Sequence, residues 1–586
     1  MVQVADGLLE AARVPARKKP RIHRIDHSFL TFNGKLSLID PALVREQPSE
    51  MVRLFRVAQH QDLPIYGHTK ELLAENAALR GHALTGNARA ARLFLDALVD
   101  PADAWQPSLL EQMHQLGIIN QIMPEFAPCT CRVQHDLYHV YTVDQHQLYA
   151  VAMLKQLARG ELASQFPTAT AAIAAVERPE PLYLGTLLHD VGKPLGKGHA
   201  EKGARLAGTI ARRLGLGDDD TALTEFLVRQ HLTMSHLSQR RDLSDPDVIA
   251  RFAERVGDEE RLRQLYLLTL VDTAMTAPGN LNAWKDQLLR ELFVRTRDYL
   301  RGGAREIAEP EDELTRVRAR AGELLERAGT PPEVAARWLD SIDERFFLAL
   351  SPRQVARHVE LAIAREHTGE PVALSVSCYP LKGHSELAVV ADDVPGLLSA
   401  IAGALSANRI DVLAAVVGFR AEEGGGAPVA LDLFFVRDLV GRAIADDDAR
   451  WERIPGDLAG LLSGGRVAPG EVGRLIERRR PPSTLDQRVT PAVPTQVHID
   501  NEASAGYTVV EVFTHDRIGV LHLITQTLSD LGLDIHLAKV GSEGEKVADV
   551  FYVSDGFGGG ETGDKITERA RLREIEERLT AALAED

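Results

Sequence analysis

Cysteine is almost missing from this chain of 586 residues: Cys129, Cys131 and Cys378 are the only three. So odd and sparse a set excludes a disulfide framework and fits a reducing compartment, so a cytoplasmic protein is expected. Cys129-Thr130-Cys131, with His135 nearby, lacks a fourth ligand and has an unusual C-x-C spacing for zinc, so these cysteines read as reduced structural thiols. Long apolar runs are missing too. None approaches the ~18–20 residues that span a bilayer. The basic residues Arg17, Lys18, Lys19 and Arg21 precede no apolar stretch of the kind a secretory signal needs. Positive charge is in short supply: 67 Lys and Arg against 84 Asp and Glu leave a net charge of −17. A surface this acidic argues against nonspecific binding to nucleic acid or anionic membrane, and neither is expected as a partner.

What is present is the composition of a soluble globular protein, 45% hydrophobic and 26% charged, on a chain too long for one core. Residues 1–35 mix Pro, Lys, Arg and small side chains and are expected to be poorly ordered. Residues 36–127 carry a helical period, with Pro48-Ser49-Glu50 as a helix start and Met51, Leu54 and Phe55 on one face, which predicts a helical scaffold. Residues 128–300 continue as a helical bundle. Residues 301–375 are rich in Arg, Glu and Ala, as in Glu313-Leu314-Thr315-Arg316, and read as a solvated helical connector.

Within the bundle, one stretch stands out. Leu182-Tyr183-Leu184-Gly185-Thr186-Leu187-Leu188 is an apolar run ending in His189-Asp190, and Gly192 and Pro194 then stop it. This predicts a buried helix that delivers an imidazole and a carboxylate to a cleft at its C-terminal end. The pair suits a divalent metal, which needs ligands from other segments. His146, His199, His231 and Asp272 are the candidates. His135, Asp136 and His139 lie close to His146 in sequence and suit substrate contacts better than metal ligation. In the loop Arg240-Arg241-Asp242-Leu243-Ser244-Asp245-Pro246, Arg241 is a candidate for a substrate phosphate, and a solvated loop with a helix N-cap explains it equally well.

The spacing H…HD…H…H…D resembles the HD superfamily of metal-dependent phosphohydrolases. The resemblance implies one metal held by His146, His189, Asp190 and Asp272. It gives His199 and His231 a second metal or the substrate phosphate. Lys193, just past the turn, is expected to neutralise charge on phosphoryl oxygens.

After Pro371 the pattern changes to β-branched alternation, then a helix, then more strands, and it does so twice. Gly519, Ile524, Leu528, Asp534 and Gly541 each lie 123 residues after Gly396, Ile401, Leu405, Asp411 and Gly418, and Asp549 lies 117 after Asp432. The first copy therefore has a longer hairpin, at Glu422-Glu423-Gly424-Gly425-Gly426. Two diverged copies of a β-α-β-β unit are predicted at 376–466 and 501–586, joined by an Arg- and Pro-rich linker at 467–500. In each, a D-x-x-G corner, Asp393 to Gly396 and Asp516 to Gly519, turns strand into helix and offers its amides to a ligand. The unit resembles the ACT domain, a ferredoxin-like module that commonly binds amino acids between paired copies. The expected fold is a multidomain chain: an all-α scaffold and HD-type helical bundle, followed by two α+β ferredoxin-like ACT domains.

The whole order resembles the bifunctional PII uridylyltransferase/uridylyl-removing enzymes of bacterial nitrogen control. The stretches that carry it are Gln134 to Asp144, Leu188-His189-Asp190, Arg241 to Pro246, Trp284-Lys285 and His515 to Leu521. The resemblance implies hydrolytic removal of UMP from a tyrosine of the PII signalling protein. It also implies glutamine as effector at Asp393, Gly396, Asp516 and Gly519. Mixed His and carboxylate ligands suit several divalent metals, and the resemblance favours Mg or Mn. No nucleotidyltransferase segment with its Gly-rich loop and paired aspartates is found, so uridylyl transfer is not supported, whether the chain is a fragment or a natural form. Two other readings stay open: an HD phosphohydrolase acting on a free nucleotide under amino-acid control, and a non-catalytic amino-acid sensor.

Overall fold

The computed structural model describes residues 19–80, 83–103, 105–133, 140–302, 310–420, 428–462, 467, 470–479, 493–543, 546–556 and 565–584. It divides into two compact units, one of residues 1–235 with 256–281 and one of residues 236–255 with 282–586. No helix among the described residues is long and apolar enough to cross a membrane.

The first unit opens with a small antiparallel sheet: β1 (Ile22–Arg24), β2 (Phe29–Phe32) and β3 (Lys35–Leu38). Much of the segment expected to be poorly ordered is therefore built. Asn33 and Gly34, with φ of 50° and 79°, form the two-residue turn that matches strand twist, and Phe29 and Leu36 alternate into the core. Arg53 reaches back from the helix Ser49–Gln61 to Asp26, and also bonds buried Glu50, which Arg89 holds from a second helix.

The helices that matter to the site are α1 (Val143–Ala158), α2 (Pro179–Leu188), α3 (His199–Leu214), α4 (Asp218–Gln230) and α5 (Glu259–Thr276). Every residue of α2 from Pro181 to Leu188 is buried, as its continuous apolar run requires. This is the central helix; α1, α4 and α5 all pack against it.

In the second unit, eight strands form one continuous antiparallel order. They are β4 (Val372–Tyr379), β5 (His384–Asp392), β6 (Ile410–Arg420), β7 (Val429–Asp438), β8 (Gln496–Asp500), β9 (Thr508–His515), β10 (Leu533–Lys539) and β11 (Lys546–Asp555). Their order is β4-β5-β7-β6-β10-β11-β9-β8. Each repeat contributes four strands, and its edge strand comes first, so the predicted β-α-β-β unit is preceded by β4 or β8 rather than closed by a later strand.

The repeats join between β6 and β10, where Ala414, Ala415 and Val416 pair with Lys539, Ala538 and Leu537. Ala415 thus faces its own counterpart in the other repeat, and a pseudo-two-fold axis passes through the pair. The irregularity between Val412 and Ala414 in β6 recurs between Ile535 and Leu537 in β10. On one face α6 (Leu397–Ala407) packs against α8 (Val520–Asp530), with Ser399 bonded to His522, again counterparts. A single apolar core, from Leu387 to Leu579, runs under both repeats.

Two expectations change here. The segment read as a solvated connector is a helical layer: Val317, Trp338, Phe347 and Val359 form a second core with Val390, Leu431 and Leu433 of the sheet. Its charged period covers only the outer face of these helices. The linker, too, is partly structured, because α7 (Glu471–Arg479) buries Val472, Leu475 and Ile476. Its Arg479 bonds Asp457 and Asn408, which satisfies charge that looked free in the sequence. The longer hairpin of the first repeat lies outside the described residues.

Candidate metal centre

His189 and His231 occupy equivalent places, each capping the C-terminus of its helix, α2 and α4. Each ring turns back on its own helix: His189 Nδ1 donates to Thr186 O at 2.8 Å, and His231 Nδ1 to Val228 O at 2.7 Å. His146, in the first turn of α1, donates from Nδ1 to Met275 O at 3.0 Å. A carbonyl only accepts, so each ring keeps a proton on Nδ1 and turns Nε2 toward the cluster, where it can hold a second proton or a cation. His199 enters as the first residue of α3, and Asp272 comes from the last turns of α5.

These groups meet around Asp190. Its Oδ2 lies 3.3 Å from His189 Nε2 and 3.9 Å from His146 Nε2, while its Oδ1 lies 3.7 Å from His199 Nε2 and 3.8 Å from His231 Nε2. Asp272 Oδ1 is 2.9 Å from His146 Nε2 and 3.4 Å from His189 Nε2. Two potential metal triads result, His146-His189-Asp190 and Asp190-His199-His231, with one carboxylate common to both. The turn after the pair is held close by Gly192. A Cβ there would lie 2.0 Å from His199 O and 2.7 Å from Gly203 N, so only glycine lets the loop rest on the start of α3.

The electrostatics favour a cation at this place. Burial opposes charge on His189, but Asp190 and Asp272 overcome it and raise its pKa to about 10. Burial likewise opposes the charges on Asp190 and Asp272, and their imidazole neighbours, with Lys193 beside Asp190, hold both well below the usual carboxylate range. His231 is driven down to about 4 by burial and by His189. Asp190 Oδ1 and His199 Nε2 are buried without a hydrogen-bond partner. His146 Nε2 and His189 Nε2 stand 3.1 Å apart, a spacing that a proton on His189 bridges and that a cation drawing on both nitrogens would replace. The donor set therefore fits a divalent metal: imidazoles held by their Nδ1 protons, two carboxylates and unsatisfied atoms facing one point.

Of the sequence-predicted residues, His146, His189, Asp190, His199, His231 and Asp272 come together. Lys193 joins them, but its ammonium rests 2.7 Å from Asp190 Oδ2 instead of reaching outward. Arg241 belongs to the second unit, where its guanidinium bonds Glu511 and Asp500, an ion pair that accounts for it without a phosphate. His135 and His139 lie outside the described residues. Asp393, Gly396, Asp516 and Gly519 stand at the first turns of α6 and α8, with φ of 86° and 85° at the two glycines.

One supporting pair was missed. Asp144, two residues before His146, is buried and takes hydrogen bonds from His114 Nε2 at 2.8 Å and Cys131 N–H at 3.1 Å, which fixes the start of α1. Burial raises its pKa, but these bonds win and bring it down to about 2. An aspartate two residues before a candidate ligand, in the first turn of its helix, was the available signal. Cys129, Cys131 and Cys378 are free, and Cys129 is buried with Sγ 4.0 Å from Val191 O, beneath the His-Asp turn.

Fold and centre together define the class: the chain carries an HD domain, matched over residues 143–257, and an ACT domain of the type described as the ACR family N-terminal ACT domain, matched over residues 503–585. Along most of its length it is similar to bifunctional uridylyltransferase/uridylyl-removing enzymes. It is 34% identical over 559 residues to that of Rhodospirillum rubrum, covering 95% of this chain and 57% of the relative. The enzyme of Azospirillum brasilense is 33% identical over 559 residues, covering 95% and 58%, and that of Gluconobacter oxydans 34% over 570, covering 96% and 58%. The chain thus spans rather more than half the length of these curated relatives.

Proposed function

We propose that this chain hydrolyses a phosphodiester, releasing UMP from a tyrosine of a uridylylated PII protein in the cytoplasm. A divalent cation, Mg or Mn favoured, would be held by His146, His189, Asp190 and Asp272. The observation that carries the reading is the division of the cluster by Asp190, with one histidine pair facing each carboxylate oxygen. The relatives' uridylyl-removing activity supports the choice of substrate. When bound, such a cation supplies a Lewis acid that activates water and draws charge from phosphoryl oxygens.

The side chains of the centre have separable parts to play. Thr186 O, Val228 O and Met275 O hold the Nδ1 protons of His189, His231 and His146, so Nε2 of each ring faces the cluster and would donate to the cation once any proton there is displaced. His199, 27% exposed, and Asp272, 17% exposed, form the open side, where the substrate phosphate would approach. His199 and His231 then bind either that phosphate or a second cation. Lys193 keeps Asp190 ionised and oriented. Glutamine would act as effector at the paired repeats, at the corners ending in Gly396 and Gly519.

Full-length chain is incubated with Mg²⁺ or Mn²⁺ and either uridylylated PII or a panel of free nucleotides, and UMP or product release is measured. Release of UMP from PII is expected, falling at least about 100-fold in Asp190→Asn at unchanged melting temperature. Full activity in a folded Asp190→Asn variant would remove the centre from the reaction. Hydrolysis of a free nucleotide alone would move the substrate.

A further inference from the structure

The pseudo-two-fold axis of the paired repeats generates two acidic clefts, and they are not alike. One is walled by Asp393 and Asp432 of the first repeat and Asp534 of the second. Its counterpart has Asp516 and Asp549 of the second repeat and Asp411 of the first, where burial, with Asp411 close by, raises the pKa values of Asp516 and Asp549. In both, the strand carboxylate is sealed in: Asp432 is 1% exposed and Asp549 0%. Each accepts one backbone N–H, from Gly418 or Gly541. Each also leaves an oxygen, Asp432 Oδ1 or Asp549 Oδ2, with no hydrogen-bond partner. A buried oxygen of this kind costs free energy unless something is brought to it.

The third carboxylate separates the two clefts. Arg437 Nε donates to Asp411 Oδ2 at 2.7 Å, so the second cleft already contains its cation. Ser554 stands at the matching place in the first cleft, and there Asp534 has the imidazole of His536 at 3.9 Å and the Ile535 amide beside it, with Asp343 as a further acidic neighbour. Burial and Asp534 together push Asp393 up to about 6, and burial with Asp393 and Asp534 pushes Asp432 well above the usual range. A pocket lies in this first cleft, with Leu397, Val417 and Ile535 among its apolar walls. The three carboxylates do not form a compact cluster with all ligand atoms within 4.8 Å, the spacing seen at the metal centre. That is too wide for one bare ion and suits a charged group with carbon attached. The 11-residue helix α6 begins at the edge of the pocket behind Gly396, without a side-chain cap for its first amides.

We propose that the two clefts have divided their roles: the Asp393–Asp432–Asp534 cleft binds one amino acid per chain, its ammonium among the three carboxylates and its carboxylate at the first amides of α6, while in the sister cleft Arg437 already pairs the third carboxylate, Asp411. The proposal rests on the amino-acid-sensing reading of the repeats given above and adds which cleft binds, in which orientation and how many ligands. An ammonium supplies the missing donors to Asp432 and Asp393, and the apolar walls accept the carbon chain.

The test is calorimetric titration of the full chain with L-glutamine, then with each of the other protein amino acids, and with 4-carbamoylbutanoate, which is glutamine without its ammonium. One site per chain is expected for the amino acid and no binding of the desamino analogue. Asp432→Asn and Asp534→Asn should each weaken binding at least about tenfold, and Asp549→Asn less than about twofold, with melting temperatures confirming the fold. Two equal sites per chain, or equal weakening by Asp549→Asn, would overturn the division of roles and leave the sensor reading standing. If no amino acid binds, the sensor reading fails and this proposal goes with it.

Discussion

The aspartates of the metal centre and those of the paired repeats are the same side chain in opposite company. Asp190 and Asp272 are buried among imidazoles and Lys193, and both are held well below the ordinary carboxylate range. Asp432 and Asp549 are buried as deeply, but their charged neighbours are other acids, and both are driven well above it. Burial alone cannot explain a difference of sign; the neighbours decide it. The first setting has its charge fixed and its donors aimed, as a metal requires. The second leaves acid groups neutral and underbonded until a hydrogen-bonding cation arrives.

Replacing an aspartate by asparagine should therefore have opposite consequences in the two regions. In the centre, Asp272→Asn removes a charge that His146 and His189 both face, and hydrolysis is expected to fall at least about 100-fold, with loss of metal in an equilibrium-dialysis measurement. Metal retention at wild-type level would break the comparison at its first term. In the repeats, Asp549→Asn should leave basal hydrolysis alone and change the pH dependence of stability.

The sign follows from proton uptake. A carboxyl with a raised folded pKa binds more protons folded than unfolded, so wild-type stability falls as pH rises above the unfolded value near 3.8. Asp144 works in the other direction: brought down to about 2, it contributes stability that is complete above pH 3.8 and lost as pH falls toward 2. Thermal melts between pH 4 and 8 should show Asp549→Asn gaining on the wild type as pH rises, by a few degrees, roughly 1–3 kcal/mol for a buried unsatisfied group. A pH-independent difference would mean that Asp549 is ionised in the fold. The smallest effect belongs to Arg241→Ala. Its partners are Glu511 and Asp500, so UMP release should stay within about twofold while the melting temperature drops slightly. A large loss of activity would restore Arg241 to the substrate.

The metal centre was legible because its chemistry is carried by residue type and order: six ligands on helices whose apolar period is strong. The duplication was legible from constant offsets, which already singled out Asp432 and Asp549 as counterparts, yet no sequence signal gave them a role. Their character depends on which residues stand beside them across β6 and β10, and strand pairing between repeats is a long-range choice that local pattern does not encode. The same reason hid the place of β4 and β8 at the sheet edges. For Arg241 the sequence left two readings open, because a basic side chain in a polar loop looks alike whether its partner is a phosphate or Glu511. The layer formed by Val317, Trp338 and Phe347 was misread because its outer face is densely charged, and its narrow apolar stripe counts for little in a composition. The N-terminal hairpin was missed: Asn33-Gly34 is a turn signal, but the strands beside it are too short to stand out.

The register at Ala415 and Ala538, each residue paired with its own counterpart, is the geometry of a symmetric dimer written on one chain. Tethering changes what such a dimer can do. The halves meet at an effective concentration set by the linker, on the order of millimolar for short flexible linkers, so their pairing does not dissolve when the protein is scarce. Being separately encoded, they are also free to drift apart. Two identical subunits would carry an arginine in both clefts or in neither, whereas here Arg437 stands at one and Ser554 at the other. On the division of roles proposed above, a two-fold arrangement would hold a single site, and a saturable response with one ligand per chain is what such a molecule could give its cell.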